Sequence, residues 1–158
     1  MNFLLDTNIL LLYLRENQRL AAQIDALHAP LAAPNTSVLS VVTAGEIRSI
    51  AIQSQWGVAR ISRLFQFVQK FPITDIHVET IIQRYAEIDA FSQGRLPGRP
   101  LGTSARNMGK NDPENSGQAL WIAATASVLG LTLLTTDHDF HHLDGQFFDV
   151  IQLDLAAL

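Results

Sequence analysis

The sequence contains no cysteine, which excludes disulfides, thiol nucleophiles and zinc–thiolate sites. Charge is also scarce: 16% of residues are charged against 47% apolar, too few for an intrinsically disordered chain. No apolar run approaches the roughly 20 residues that cross a bilayer. The opening apolar run has no basic flank and is broken at Asp6, so it does not read as a secretory signal. These absences lead one to expect a cytoplasmic protein without a membrane segment. At 158 residues the chain suits a single domain, residues 1–158, with a sizeable core.

What is present is organised around the first nine residues. The apolar run Phe3-Leu4-Leu5 leads directly into Asp6, then Thr7-Asn8, then an amphipathic segment. This reads as a buried strand feeding a helix, with a carboxylate at the strand's C-terminal end. Leu131-Thr132-Leu133-Leu134-Thr135-Thr136-Asp137 repeats the pattern more than a hundred residues later. In open α/β sheets, ligands sit at that edge.

Between these two runs, periodicity predicts helices over residues 9–14, 19–27, 43–53, 56–70, 77–91 and 118–129. Strands are expected at residues 36–40, 131–134 and 147–151, a short strand or turn at 72–76, and a short helical turn after Asp137. Gly130 follows the apolar helix as a C′ residue. Strands alternating with helices imply a three-layer α/β fold around a mostly parallel sheet. Residues 93–115 have no regular pattern, and a loop of that length in a small domain is usually functional or disordered.

Each acid has a local reading of its own. Asp6 and Asp137 are suitable helix N-caps. Thr43-Ala44-Gly45-Glu46 has the form of a capping box, with Glu46 turned back on the cap. In combination, all three acids belong to one edge of a parallel sheet, where they repel unless a cation gathers them. Hard oxygen donors without cysteine favour Mg²⁺ or Mn²⁺. Such an ion lowers the pKa of bound water and clamps phosphate oxygens. Residues 90–111 contain no acid but carry Arg95, Arg99, Arg106 and Lys110. With Arg48, two residues after Glu46, they make a phosphate-gripping set for a polyanionic substrate, or else an ordinary solvated surface.

Leu5-Asp6-Thr7-Asn8, the 40–46 segment with its Glu46, Gly109-Lys110-Asn111-Asp112, Trp121-Ile122-Ala123-Ala124-Thr125-Ala126 and Leu134-Thr135-Thr136-Asp137 occur in order along the chain. Together they resemble the PIN-domain family, and within it the VapC-type toxins of bacterial toxin–antitoxin pairs. The resemblance implies a PIN-like α/β/α fold and an endoribonuclease dependent on Mg²⁺ or Mn²⁺. It also implies a homodimer inhibited by a cognate VapB-like antitoxin. By position, Asp6, Glu46, Asp112 and Asp137 would be the catalytic, metal-binding acids. Asn8 and Thr135 would support them. Asp139, two residues after Asp137, reads as a further acid behind the site or only as a helix-start charge.

The chain departs from the family pattern at one place. Seven residues, 113–119, separate Asp112 from the apolar helix, and Ala119 stands where the resemblance expects an acid. The insert can bulge and leave Asp112 in place. It can extend the helix by about two turns and carry Asp112 roughly 10 Å along the axis. Alternatively, Ser116 can cap a helix of normal length. A degenerate PIN-like module that binds RNA or antitoxin without cutting is therefore the alternative function. A phosphohydrolase forming an aspartyl-phosphate ranks lower, since Asn8 occupies the position of its second acid. The histidines of His138-Asp139-Phe140-His141-His142 read as solvated surface rather than as a transition-metal site.

Overall fold

The computed structural model describes residues 1–15, 18–100 and 116–158. Five strands form a single sheet in the order β3-β2-β1-β4-β5: β1 (Asn2–Leu5), β2 (Thr36–Ser40), β3 (Ile73–Thr74), β4 (Thr132–Thr135) and β5 (Val150–Gln152). Every strand pairing is parallel. β1 lies at the centre, with Leu4 opposite Val38 on one side and Leu133 on the other.

Side chains alternate across a strand, and here the alternation creates the layers. Leu4 and Leu133 face one core, with Ile88 and Phe91 of α5 (Glu79–Ser92) and Ile122, Ala123 and Ala126 of α6 (Ser116–Leu129). Phe3, Leu5 and Leu134 face the opposite core. There they meet Ile9 and Leu10 of α1 (Thr7–Leu14), Ile24 of α2 (Gln18–Leu27), Ile47 of α3 (Val41–Gln53) and Leu64 of α4 (Val58–Val68). The three-layer α/β/α arrangement expected from the sequence is the one observed. Phe3, Leu4 and Leu5 are at most 1% exposed, and such burial contributes about 1.5–3 kcal/mol for each side chain. This central strand is therefore a stable base for the acid that follows it.

Most element boundaries differ from expectation by a residue or two, and three differences have a visible cause or consequence. Helix α3 starts at Val41 rather than near Thr43, because Ser40 Oγ accepts the Val42 N–H at 3.1 Å and caps it. Helix α4 is shorter than the amphipathic run, starting after Gly57 and ending at Val68. β5 begins at Val150 rather than residue 147. Phe147 and Phe148 instead turn into the α5/α6 core from a loop closed by the Val150 N–H on Asp144 Oδ1 at 2.8 Å. Gly130 has φ +63°, the left-handed C′ conformation that ends α6. No described helix is long and apolar enough to cross a membrane.

Candidate active site

The C-terminal ends of β1 and β4 are adjacent, and the acids follow from that adjacency. Asp6 continues the ladder by one bond, its N–H donating to the Leu134 carbonyl at 3.1 Å. Its side chain then serves two purposes. Oδ1 accepts the Thr7 N–H at 2.8 Å and caps α1, while Oδ2 accepts the Thr135 hydroxyl at 2.6 Å. The local cap and the shared pocket therefore coexist in one carboxylate. Thr135, fully buried, also accepts the Asp137 N–H at 3.0 Å, so one hydroxyl ties together both strand-end acids.

Asp137 caps the 3₁₀ turn His138–Leu143, its Oδ1 accepting the Asp139 N–H at 2.9 Å. Glu46 is not part of a capping box. Ser40 holds the cap, and Glu46 Oε2 accepts the Thr7 hydroxyl at 2.9 Å, 39 residues away in sequence. The Thr43 hydroxyl, the expected cap, is buried without a hydrogen bond.

These residues line a cleft of about 390 Å³ between α3 and α6. Asp6, Thr7, Asn8, Glu46 and Asp137 are among its lining residues, and no Lys or Arg is among the described ones. Asp6 is 6% exposed. Burial raises its pKa above the ordinary 3.8, the Asp137 charge adds to the rise, and the bonds from Thr135 and Thr7 oppose it. Glu46 is raised as well, by burial first and by the Asp6 charge, with the Thr7 hydroxyl opposing. Buried and half-buried acids that disfavour one another's ionisation, with no basic side chain lining the cleft among the described residues, have the donor chemistry of a hard divalent cation. Among the described residues no three His, Asp or Glu side chains are drawn close enough to enclose such an ion.

The remaining expected residues are divided. Asn8 and Thr135 stand in and behind the cleft. Asp139 contributes its backbone N–H to Asp137, and its side chain does not line the cleft. Arg48 lies over the Phe65 ring at 5.4 Å. Arg99 donates to the Gln146 carbonyl at 2.8 Å and covers the Phe147 ring at 4.1 Å, so its guanidinium is engaged by the protein itself. Arg95 is exposed beyond the end of α5. Asp112, Arg106 and Lys110 lie outside the described residues. The histidine cluster does not converge: His138 bonds Gln152 at 2.6 Å, while His142 bonds Ser92 at 2.8 Å.

Thr7, Ser49, Gln53 and Gln118 line the cleft without having been singled out in the sequence. Only Thr7 carried a signal, as the hydroxyl immediately after the strand-end acid. The other three are ordinary polar residues until α3 and α6 are brought together.

A PIN-domain family model matches residues 3–146. Solved structures agree in fold. The VapBC2 complex of Rickettsia felis bound to a promoter DNA fragment gives a TM-score of 0.67 at 18% identity, covering 98% of this chain and 100% of that one. VapBC-1 of nontypeable Haemophilus influenzae gives 0.66 at 21%, covering 96% and 98%. FitAcB of Neisseria gonorrhoeae gives 0.64 at 24%, covering 95% and 96%. No curated protein sequence matches significantly. With the strand-end acids in place on a parallel sheet and the family model spanning nearly all of the sequence, this chain belongs to the PIN-domain family.

Proposed function

We propose that the protein is a metal-dependent endoribonuclease of the VapC type. The observation that carries this reading is the convergence of Asp6, Glu46 and Asp137, from three distant parts of the chain, on one cleft that no basic residue lines among the described residues. A divalent cation, Mg²⁺ or Mn²⁺, held by these acids supplies Lewis acidity and a water of lowered pKa. Asp112 is the fourth acid by sequence position. The chain's own residues orient the donors: Thr135 fixes Asp6 and Asp137 through one hydroxyl, and Thr7 fixes Glu46. Supporting hydrogen bonds of this kind typically carry 10–100-fold in metal affinity or activity.

The structural neighbours named as VapBC and FitAcB complexes support a VapB-like antitoxin as partner. Exposed Ile52 and Val58 offer apolar surface for that partner or for a second copy in a homodimer. The test is cleavage of single-stranded RNA with Mg²⁺ or Mn²⁺. Asp6→Asn and Asp137→Asn should each abolish cleavage while leaving the circular dichroism spectrum unchanged; undiminished cleavage refutes the assignment.

A second reading, a PIN-like module that binds RNA or antitoxin without cutting, is favoured by one observation. Ala119, not an acid, lines the cleft at the start of α6. RNA binding by wild-type protein with no cleavage under either metal would support it.

A further inference from the structure

Beyond the acids, the cleft has two walls of matching composition. Along α3 the lining residues after Glu46 are Ser49, Ile50 and Gln53; along α6 they are Gln118, Ala119 and Ile122. Each wall thus presents one isoleucine and one primary amide, three or four residues apart and so about one turn from each other. Gln53 follows Glu46 by seven residues, which places it on the same helical face about 10 Å further along the axis. That is a distance on the scale of a nucleotide.

The two amides differ in readiness. Gln53 Nε2 donates to Ser49 Oγ at 2.8 Å, which orients its carbonyl and leaves its second N–H unused by that bond. Gln118, exposed like Gln53, lines the opposite wall. Among the described lining residues of α3 and α6 beyond Glu46, none is charged. A ligand for this part of the cleft therefore has apolar faces, an edge with both donors and acceptors, and a covalent link to the phosphate held at the acids. A nucleobase has all three properties, and glutamine pairs in bidentate fashion with such edges.

We infer that the α3/α6 end of the cleft is a nucleobase slot in which Gln53 and Gln118 select the base beside the scissile phosphate. Ile50 on one wall and Ala119 on the other flank its faces, with Ile122 buried beneath, and the two glutamines are specificity-determining positioning residues. The inference rests on the nuclease reading for the identity of the ligand. Both glutamines lie outside the acid set, so base choice and bond cleavage are separable in this cleft.

The experiment measures binding of fluorescent single-stranded RNA oligomers, varied at one position at a time, to full-length protein in Ca²⁺. Cleavage-site sequencing on a randomised RNA with Mn²⁺ runs in parallel. Wild type should favour one base at one position by about tenfold or more, and Gln53→Ala and Gln118→Ala should each reduce that to about twofold with melting temperature unchanged. An unaltered base profile in both variants overturns the slot, even if wild type cleaves RNA normally and the nuclease reading stands. A profile that depends on the glutamines in a protein that never cleaves keeps the slot and overturns the nuclease. Wild type that binds no RNA, or binds all four bases equally, overturns the slot directly.

Discussion

Replacing Thr135 with valine preserves the branched shape of a fully buried side chain and removes a single hydroxyl. Two hydrogen bonds go with it: the one donated to Asp6 Oδ2 at 2.6 Å and the one accepted from the Asp137 N–H at 3.0 Å. The first matters more. Asp6 is buried, and a hydrogen bond to a charged group is worth about 1.5–3 kcal/mol. Asp137 is only half-buried, so water can reach its N–H and the second loss is smaller. At 2–4 °C per kcal/mol for a chain of this size, Thr135→Val should melt about 3–12 °C lower at a pH where Asp6 is ionised.

The pH dependence follows from the direction of the Asp6 shift. Its folded pKa already stands above 3.8, and losing the Thr135 bond, which lowers it, raises it further. Carboxylates raised on folding bind more protons in the native state, so stability falls as pH rises above the unfolded value. The deficit of Thr135→Val against wild type should therefore be largest at neutral pH and shrink on acidification, as the protonated acid needs the hydroxyl less. Differential scanning calorimetry without divalent metal, from pH 4 to pH 8, measures it. A variant melting within about a degree of wild type throughout would mean that Thr135 does not hold Asp6, and would refute the account of the site.

Asp6→Asn, which abolishes a buried charge beside Asp137, should raise metal-free stability by about 0.5–2 kcal/mol while eliminating cleavage; chemical denaturation checks the sign. Mn²⁺ at a hundredfold excess over its Kd should stabilise wild type by about 2.7 kcal/mol and leave Asp6→Asn unmoved in a thermal-shift assay. No shift in wild type would remove the cation from the site. His142, hydrogen-bonded to Ser92 and stacked on Phe91, has its pKa lowered below 6.5 by burial, with the nearby His141 adding to the effect. The unfolded chain then binds the extra proton, so stability should be lost as pH falls below about 6.5. His142→Gln should flatten that limb of the curve.

The parts of this molecule legible in its sequence are those set by neighbouring residues. Thr36–Ser40, with β-branched Thr36 and Val38, reads as a strand and is one. Asp6 and Asp137 follow apolar strands and stand at the sheet edge for that reason. Glu46 was harder to read. The Thr43–Glu46 spacing imitates a capping box, whereas its observed partner, Thr7, arrives from the end of another strand. Arg99 read as a phosphate contact because its segment contains no acid; it covers Phe91 and Phe147 instead, two rings joined only by the tertiary fold. Gln53 and Gln118 were silent for the same reason. Polar residues on helix surfaces acquire meaning only when two helices form walls.

One bond carries a consequence for engineering. The Asp6 N–H on the Leu134 carbonyl makes the first residue of the pocket also the last rung between the two central strands. Sliding β4 by a single position against β1 would not merely misplace a carboxylate; it would turn Leu133 and Leu134 to the wrong layers. The placing of Asp6 beside the end of β4 and the assembly of the core thus share one registry, and the two strand-end acids cannot drift apart gradually while the protein remains folded.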